Sequence, residues 1–210
     1  RNFRENFTAI GHSRLVTNGY EQYDINNQPV IKNGYVVIHN GIIVNQADLW
    51  RKYGSTTKVS ELDSELIPVI IDHHIKQSGE PGRAIGILFS EIYGMSNIAI
   101  LSSGYNNLFL ATNNGSLYYI DDSINGFFVF ASERYILQSI IKKHKLPYSY
   151  SSVRQLIAGT VLSICISPFS GNISSIGENI NNISVQIPSF GIKIIKNEIN
   201  DKNVYINTSL

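Results

Sequence analysis

Three short segments of the chain place polar side chains directly beside apolar runs, where binding and catalytic groups are often found. They are residues 11–19 (Gly-His-Ser-Arg-Leu-Val-Thr-Asn-Gly), 38–43 (Ile-His-Asn-Gly-Ile-Ile) and 60–65 (Ser-Glu-Leu-Asp-Ser-Glu). Arg14 could bind an anion through its planar guanidinium, Asn40 could donate through its side-chain amide, and Asp63 could accept from a cation or an N–H group. The candidate functional residues therefore lie in these three segments.

Each segment also has a purely structural interpretation. Arg14 could form an ordinary salt bridge at the end of a strand. The pair Asn40-Gly41 could be a hairpin turn, because Asn-Gly is the most frequent pair in such turns. Asp63 could be the N-cap or a first-turn residue of the helix that follows it. Taken one at a time, the segments do not define a site.

The hydrophobic pattern predicts strands and helices that alternate along the chain. Residues 19–33 are polar and are predicted to form a loop. Pro68 should lie in the first turn of its helix or kink the helix. Ser132 is a candidate N-cap. Short turns between successive strands favour antiparallel pairing, so the predicted class is α+β. Strands are predicted at 8–17, 34–39, 98–101, 108–112, 117–120, 127–131 and 161–167, and helices at 45–53, 60–77, 82–93 and 132–144.

The composition excludes several classes of function. The 17 basic and 16 acidic residues give a net charge of +1, which argues against nucleic acid or an anionic membrane surface as a partner. The single cysteine, Cys165, excludes an internal disulfide and a cysteine-cluster metal site. The sequence contains no apolar run of about 18 residues and no secretory signal. We therefore expect a cytoplasmic protein without a metal, a cofactor or a membrane partner.

In this order the three segments resemble the glutaminase domain of class II glutamine amidotransferases, which use an N-terminal nucleophile. Gly11–Gly19 resembles the family block Gly-His-Thr-Arg-Trp-Ala-Thr-His-Gly, His39–Ile43 matches His-Asn-Gly-Ile-Ile, and Ser60–Glu65 resembles Ser-Glu-Thr-Asp-Thr-Glu. Asn27-Gln28-Pro29 and Phe130-Ala131-Ser132-Glu133 resemble two further family segments. The resemblance extends from about residue 8 to about residue 167, and glucosamine-6-phosphate synthase is the most similar member.

The resemblance implies a four-layer αββα sandwich of largely antiparallel sheets and the hydrolysis of L-glutamine to glutamate and ammonia. It assigns Arg14 to the α-carboxylate of glutamine, with a hydroxyl donor from Thr17, and Asp63 to the α-ammonium. The side chain of Asn40 and the backbone N–H of Gly41 would form the oxyanion hole for the amide oxygen. These roles suit the chemistry of an amino acid whose reacting group is a neutral amide.

Two departures from the family concern the substrate site and the nucleophile. Asn18 stands where the family has a histidine beside the substrate, and Leu15 replaces a frequent tryptophan. The family's nucleophile is a cysteine at the mature N-terminus, whereas position 1 is Arg1, and Cys165 lies in an apolar run where a buried, inert thiol is expected. We therefore expect the chain to be an N-terminally truncated piece that is inactive alone.

The resemblance also predicts the domain organisation. Residues 1–167 would be the glutaminase-type domain without its N-terminal segment, and residues 168–210 would be strands or a connector towards a missing synthase domain. In that domain the ammonia acceptor would be a sugar phosphate or an activated sugar. The alternative acceptor is aspartate, as in asparagine synthetase. A homodimer is a further expectation. The rival hypothesis is a catalytically inactive binding or oligomerisation module of the same fold. A carbohydrate-binding β-sandwich would leave the predicted helices unexplained.

Overall fold

The computed structural model describes residues 8–13, 26–54, 58–102, 104–122, 125–166, 184–187 and 190–196. Ten strands lie in this part of the chain: β1 (Val30–Lys32), β2 (Tyr35–Gly41), β3 (Ser96–Ser102), β4 (Tyr105–Thr112), β5 (Tyr118–Asp122), β6 (Phe127–Ala131), β7 (Arg154–Gln155), β8 (Thr160–Cys165), β9 (Ser184–Ile187) and β10 (Phe190–Lys196). Its α-helices are α1 (Gln46–Tyr53), α2 (Leu66–Ser78), α3 (Pro81–Glu91) and α4 (Arg134–His144), and Asp63–Glu65 and Tyr150–Ser152 form single 3₁₀ turns. None of the helices in these ranges is long and apolar enough to cross a membrane.

The strands form two sheets in which all neighbouring pairs are antiparallel. The large sheet has the order β1-β2-β3-β4-β8-β10-β9, and the small sheet has the order β6-β5-β7. Helices α1 to α3 cover one face of the large sheet, the small sheet covers its other face, and α4 packs on the outer face of the small sheet. The fold is therefore a four-layer αββα sandwich of class α+β, as predicted.

Strict alternation of apolar side chains explains why the large sheet is covered on both faces. On β4, Phe109 and Ala111 pack among the helices, whereas Leu108 and Leu110 face the small sheet. Successive side chains on a strand point to opposite faces, so a strand that is apolar at every position must be buried on both sides.

The turn before β2 shows which Asn-Gly pair closes the hairpin. Asn33 and Gly34 have φ values of 53° and 80°, which is the left-handed backbone that a two-residue hairpin requires. They join β2 to β1, a strand inside the stretch predicted to be a loop. Asn40 and Gly41 instead end β2 and pair with β3, so the hairpin interpretation of this second pair is wrong.

The helix termini confirm the expectation for Pro68 and contradict the one for Ser132. Pro68 is the third residue of α2 and lies in its first turn, where a missing N–H costs little. Helix α4 begins at Arg134 with Glu133 at the N-cap position, so Ser132 is not the N-cap.

The predicted strand at 8–17 is wrong in its first part, because residues 8–13 have no regular secondary structure. Residues 14–17 lie outside the described part of the chain.

Candidate functional site

A cavity of about 1010 Å³ lies between the two sheets. Its walls are apolar and include Ile38 and Leu108 from the large sheet and Phe128 and Phe130 from the small sheet. One end is polar, because residues 11–13, the end of β2 and the turn at residue 63 meet there. A mostly apolar cavity with a few convergent polar groups is the usual form of a small-molecule site.

Three of the six predicted site residues line this one cavity. Asn40, Gly41 and Asp63 are brought together although more than 20 residues separate the strand from the turn. The other three, Arg14, Thr17 and Asn18, lie outside the described residues. The residues immediately before them, Gly11 to Ser13, line the same polar end.

The carboxylate of Asp63 connects the turn to the end of β2. Its Oδ2 accepts a hydrogen bond of 2.7 Å from the backbone N–H of Ile43, and its Oδ1 accepts one of 3.2 Å from the Ser64 hydroxyl. The N-cap position of the turn is Leu62, so the N-cap interpretation of Asp63 is wrong, whereas its position as a first-turn residue is confirmed. An ionised carboxylate can accept about four hydrogen bonds, so the described residues leave two of its acceptor positions for a ligand. The residue is only 6% exposed, which strengthens the attraction of its carboxylate for a cation.

Gly41 lies where no side chain fits. Its φ is +152°, and a Cβ at this position would stand 2.0 Å from the carbonyl oxygen of Met95 and 2.9 Å from His39 Nε2. Any larger residue must displace the neighbouring strand backbone. The close approach of the Met95 backbone to the end of β2 therefore requires glycine at this position.

The backbone of Asn40 is fixed from inside the large sheet. The side-chain amide of Asn97 on β3 donates to the Asn40 carbonyl at 3.1 Å, and the hydroxyl of Thr112 on β4 donates to Asn97 Oδ1 at 2.6 Å. Asn97 and Thr112 are buried, so this chain of hydrogen bonds holds the strand end in a fixed position. The backbone carbonyl of Asn40 therefore has a hydrogen-bond partner inside the sheet, whereas the residue as a whole is exposed and lines the cavity.

His39 is buried beneath these groups and is neutral at pH 7. Burial is the main cause that lowers its pKa to about 4, with the Asp63 carboxylate opposing the shift and nearby His12 adding to it. Its Nδ1 lies 3.1 Å from the Ser64 hydroxyl. Because the Ser64 proton is donated to Asp63, we assign the imidazole proton to Nδ1. Nε2 then carries the lone pair, beside Gly41.

The only cysteine of the 210 residues points away from this site. Cys165 ends β8, where Leu162 and Ile164 face the small sheet. By alternation, its thiol is on the helix side of the large sheet, and Cys165 is not among the residues that line the cavity. It is half-buried, so the expected full burial is wrong although the strand position is confirmed.

Sequence reasoning missed the residues that hold the site together. Gln28, Ser64 and Asn97 contribute the hydrogen bonds around His39, Asp63 and Asn40. Only Gln28 and Ser64 lay within a recognised motif. Asn97 directly precedes the apolar run from Ile98 to Leu101 of β3. A buried amide at such a position requires hydrogen-bond partners, and this was the available signal.

The αββα layering, with a polar site at one end of the cavity between the sheets, is the fold of N-terminal-nucleophile hydrolases. The glutamine phosphoribosylpyrophosphate amidotransferase from B. subtilis, solved with ADP and GMP, shares this fold with a TM-score of 0.51 at 21% identity. The match covers 69% of this chain and 31% of that one. More specifically, the chain belongs to the family described as "Glutamine amidotransferase domain", which matches residues 12–139.

Similar proteins include two named glutamine–fructose-6-phosphate aminotransferase (isomerizing). The protein from Escherichia coli (strain K12) is 33% identical over 111 residues, and that from Xanthomonas campestris pv. campestris is 32% identical over 110 residues. The matches cover 52% and 51% of this chain but only 18% of either relative. The similarity therefore concerns one domain of much longer proteins.

Proposed function

We propose that this chain forms the glutamine-hydrolysing domain of an amidotransferase and that the polar end of its cavity binds L-glutamine. The observation that carries the proposal is the convergence of Asn40, Gly41 and Asp63 at one cavity. These are the residues that the family resemblance assigns to the oxyanion hole and to the α-ammonium.

Each end of glutamine has a matching group in this proposal. The α-ammonium pairs with the free acceptor positions of Asp63, and the α-carboxylate pairs with Arg14, assisted by Thr17 and Asn18 from the same motif. The side-chain amide of glutamine then extends along β2 towards Asn40 and Gly41. The Asn40 amide and the Gly41 N–H stabilise the negative charge that develops on the amide oxygen when a nucleophile attacks.

The reaction proceeds in two displacements. A thiolate attacks the amide carbon, the C–N bond breaks, and the nitrogen leaves with an added proton as ammonia. Water then attacks the thioester and releases glutamate together with the regenerated thiol. The resemblance assigns the thiol to a mature N-terminal cysteine, whose own α-amino group, with a pKa near ~8, can serve as the general base. The thiol of Cys165 points away from the cavity, which supports a nucleophile other than this cysteine.

The ammonia would pass to an acceptor bound by another domain of the same protein. The two aminotransferase relatives carry fructose 6-phosphate in their names, which favours a sugar phosphate or an activated sugar over aspartate as the acceptor.

The proposal is tested by glutamine kinetics of the protein expressed from its intact gene. Arg14→Ala and Asp63→Ala should each raise the KM for L-glutamine by about 10-fold or more, because each removes a hydrogen bond to a charged group worth about 1.5–3 kcal/mol. Unchanged KM values in both variants would overturn the assignment. Glutamine binding without any release of glutamate would favour the alternative, a catalytically inactive binding module.

A further inference from the structure

We propose that Gln28 is a positioning residue for the oxyanion hole: its side-chain amide replaces a missing strand residue at the edge of β2 and so fixes Asn40 and Gly41. This inference rests on the proposed function of the cavity. Gln28 lines the cavity but acts through the backbone of His39, one residue before Asn40.

The register of the first hairpin explains why the amide is needed. Strand β1 pairs with β2 from Lys32↔Tyr35 to Val30↔Val37, and the same register would next place residue 28 opposite residue 39. Strand β1 nevertheless begins at Val30, so its ladder ends two residues short of His39. Among the described residues, no strand covers β2 on this side beyond Val37.

The Gln28 side chain supplies the two hydrogen bonds that a paired strand residue would supply. Its Oε1 accepts from the backbone N–H of His39 at 2.5 Å, and its Nε2 donates to the His39 carbonyl at 2.8 Å. This two-point contact fixes both the position and the orientation of the peptide groups next to Asn40. Buried backbone groups at such an edge would otherwise lack partners.

The second N–H of the same amide reaches the turn that carries Asp63. Gln28 Nε2 lies 3.3 Å from the Ser64 hydroxyl, which donates to Asp63 Oδ1 at 3.2 Å and contacts His39 Nδ1 at 3.1 Å. One side chain therefore joins the strand that holds the oxyanion donors to the turn that holds the carboxylate.

The segment that carries Gln28 has a separate attachment to the protein. The side chain of Asn26 accepts from the backbone N–H of Glu61 at 3.0 Å and donates to the Glu61 carboxylate at 3.2 Å. Asp63 is likewise held by Ile43, independently of Gln28. Removing the Gln28 amide should therefore loosen the outer edge of β2 at His39, while the inner edge stays paired with β3 and Asp63 keeps its hydrogen bond from Ile43.

This arrangement predicts a specific kinetic signature. Gln28→Ala should lower kcat for glutamine hydrolysis by about 10- to 100-fold, because misplacing a reacting group by about 1 Å can cost 10²-fold. The KM should change by less than about threefold, since the groups that bind the amino-acid end are untouched. A purely structural role would lower the melting temperature without this split between kcat and KM.

The experiment measures kcat, KM and melting temperature in the protein from its intact gene. Gln77→Ala is the matched control, because Gln77 is an exposed glutamine on α2 whose side chain interacts with His73 and His74 of the same helix and does not line the cavity. Gln28→Glu is the second variant: it keeps the acceptor for His39 N–H but sets a carboxylate against the His39 carbonyl. Protonation restores a donor, so its kcat relative to wild type should rise as the pH is lowered from 8 to 6.

The outcomes separate the inference from the function on which it rests. A selective loss of kcat in Gln28→Ala, with acid recovery in Gln28→Glu and wild-type kinetics in Gln77→Ala, supports the inference. Wild-type kcat in Gln28→Ala, or a Gln28→Glu ratio that does not change with pH, overturns the inference alone. A wild-type protein that releases no glutamate overturns both.

Discussion

Replacing Asp63 with asparagine separates the charge of this residue from its structural role. The asparagine amide has the same shape, and its oxygen can still accept the 2.7 Å hydrogen bond from Ile43 N–H. It loses the negative charge proposed to bind the α-ammonium of glutamine, and also the acceptor for the Ser64 hydroxyl. A hydrogen bond to a charged group contributes about 1.5–3 kcal/mol, so the KM for glutamine should rise by about 10- to 150-fold.

Asp63→Ala removes both the negative charge and the hydrogen-bond acceptor, so it serves as the comparison variant for the structural role. It leaves the buried N–H of Ile43 without its acceptor, which costs about 1–3 kcal/mol and lowers the melting temperature by about 2–4 °C per kcal/mol. Asp63→Asn keeps the acceptor for Ile43 and should therefore melt above Asp63→Ala. The two variants should therefore share the loss of substrate affinity and differ in stability.

The assay compares glutamine with the same molecule lacking its α-amino group. Glutamate, or its deaminated counterpart, is measured as it forms across a range of substrate concentrations. The wild type should favour glutamine strongly, and Asp63→Asn should lose that preference because the carboxylate recognises only the ammonium. Equal losses on both substrates, or an unchanged KM for glutamine, would refute the reasoning.

Three further outcomes are expected. The pKa of His39 is lowered to about 4 and that of His74 is also lowered, in both cases mainly by burial, so the unfolded state binds protons more readily than the folded state. The free energy of unfolding, measured in urea, should therefore be constant above about pH 6.5 and fall as the pH drops from 6.5 towards 4. The fall should be less steep in His39→Gln. Gly41→Ala should abolish most glutamine hydrolysis, since its Cβ would stand 2.0 Å from the Met95 carbonyl oxygen, and wild-type kcat would contradict the strand-end geometry. Cys165→Ala should retain glutamine hydrolysis within about twofold, whereas a complete loss would identify its thiol as the nucleophile.

The two Asn-Gly pairs show what local sequence can and cannot predict. Asn33-Gly34 and Asn40-Gly41 have the same turn chemistry, yet only the first forms a turn. The difference is tertiary: β2 continues through the second pair because β3 is long enough to pair with it as far as Gly41↔Ser96. Propensity favours a turn at both places, and strand pairing decides between them.

The layers and the candidate site were predictable to different degrees. The apolar alternation indicates strands and the motif order indicates the family, so the meeting of residues 40, 41 and 63 could be predicted from the resemblance. The supporting contacts of Gln28 could not, because they join residues 11 and 36 positions apart through side chains. No periodicity in the sequence reports such contacts.

The most direct test of the account is a crystal structure of the protein with the product L-glutamate bound. The account predicts the α-ammonium within hydrogen-bond distance of Asp63 and the side-chain carboxylate at the Asn40 amide and the Gly41 N–H. Glutamate bound in the reverse orientation, or outside the cavity between the sheets, would contradict it.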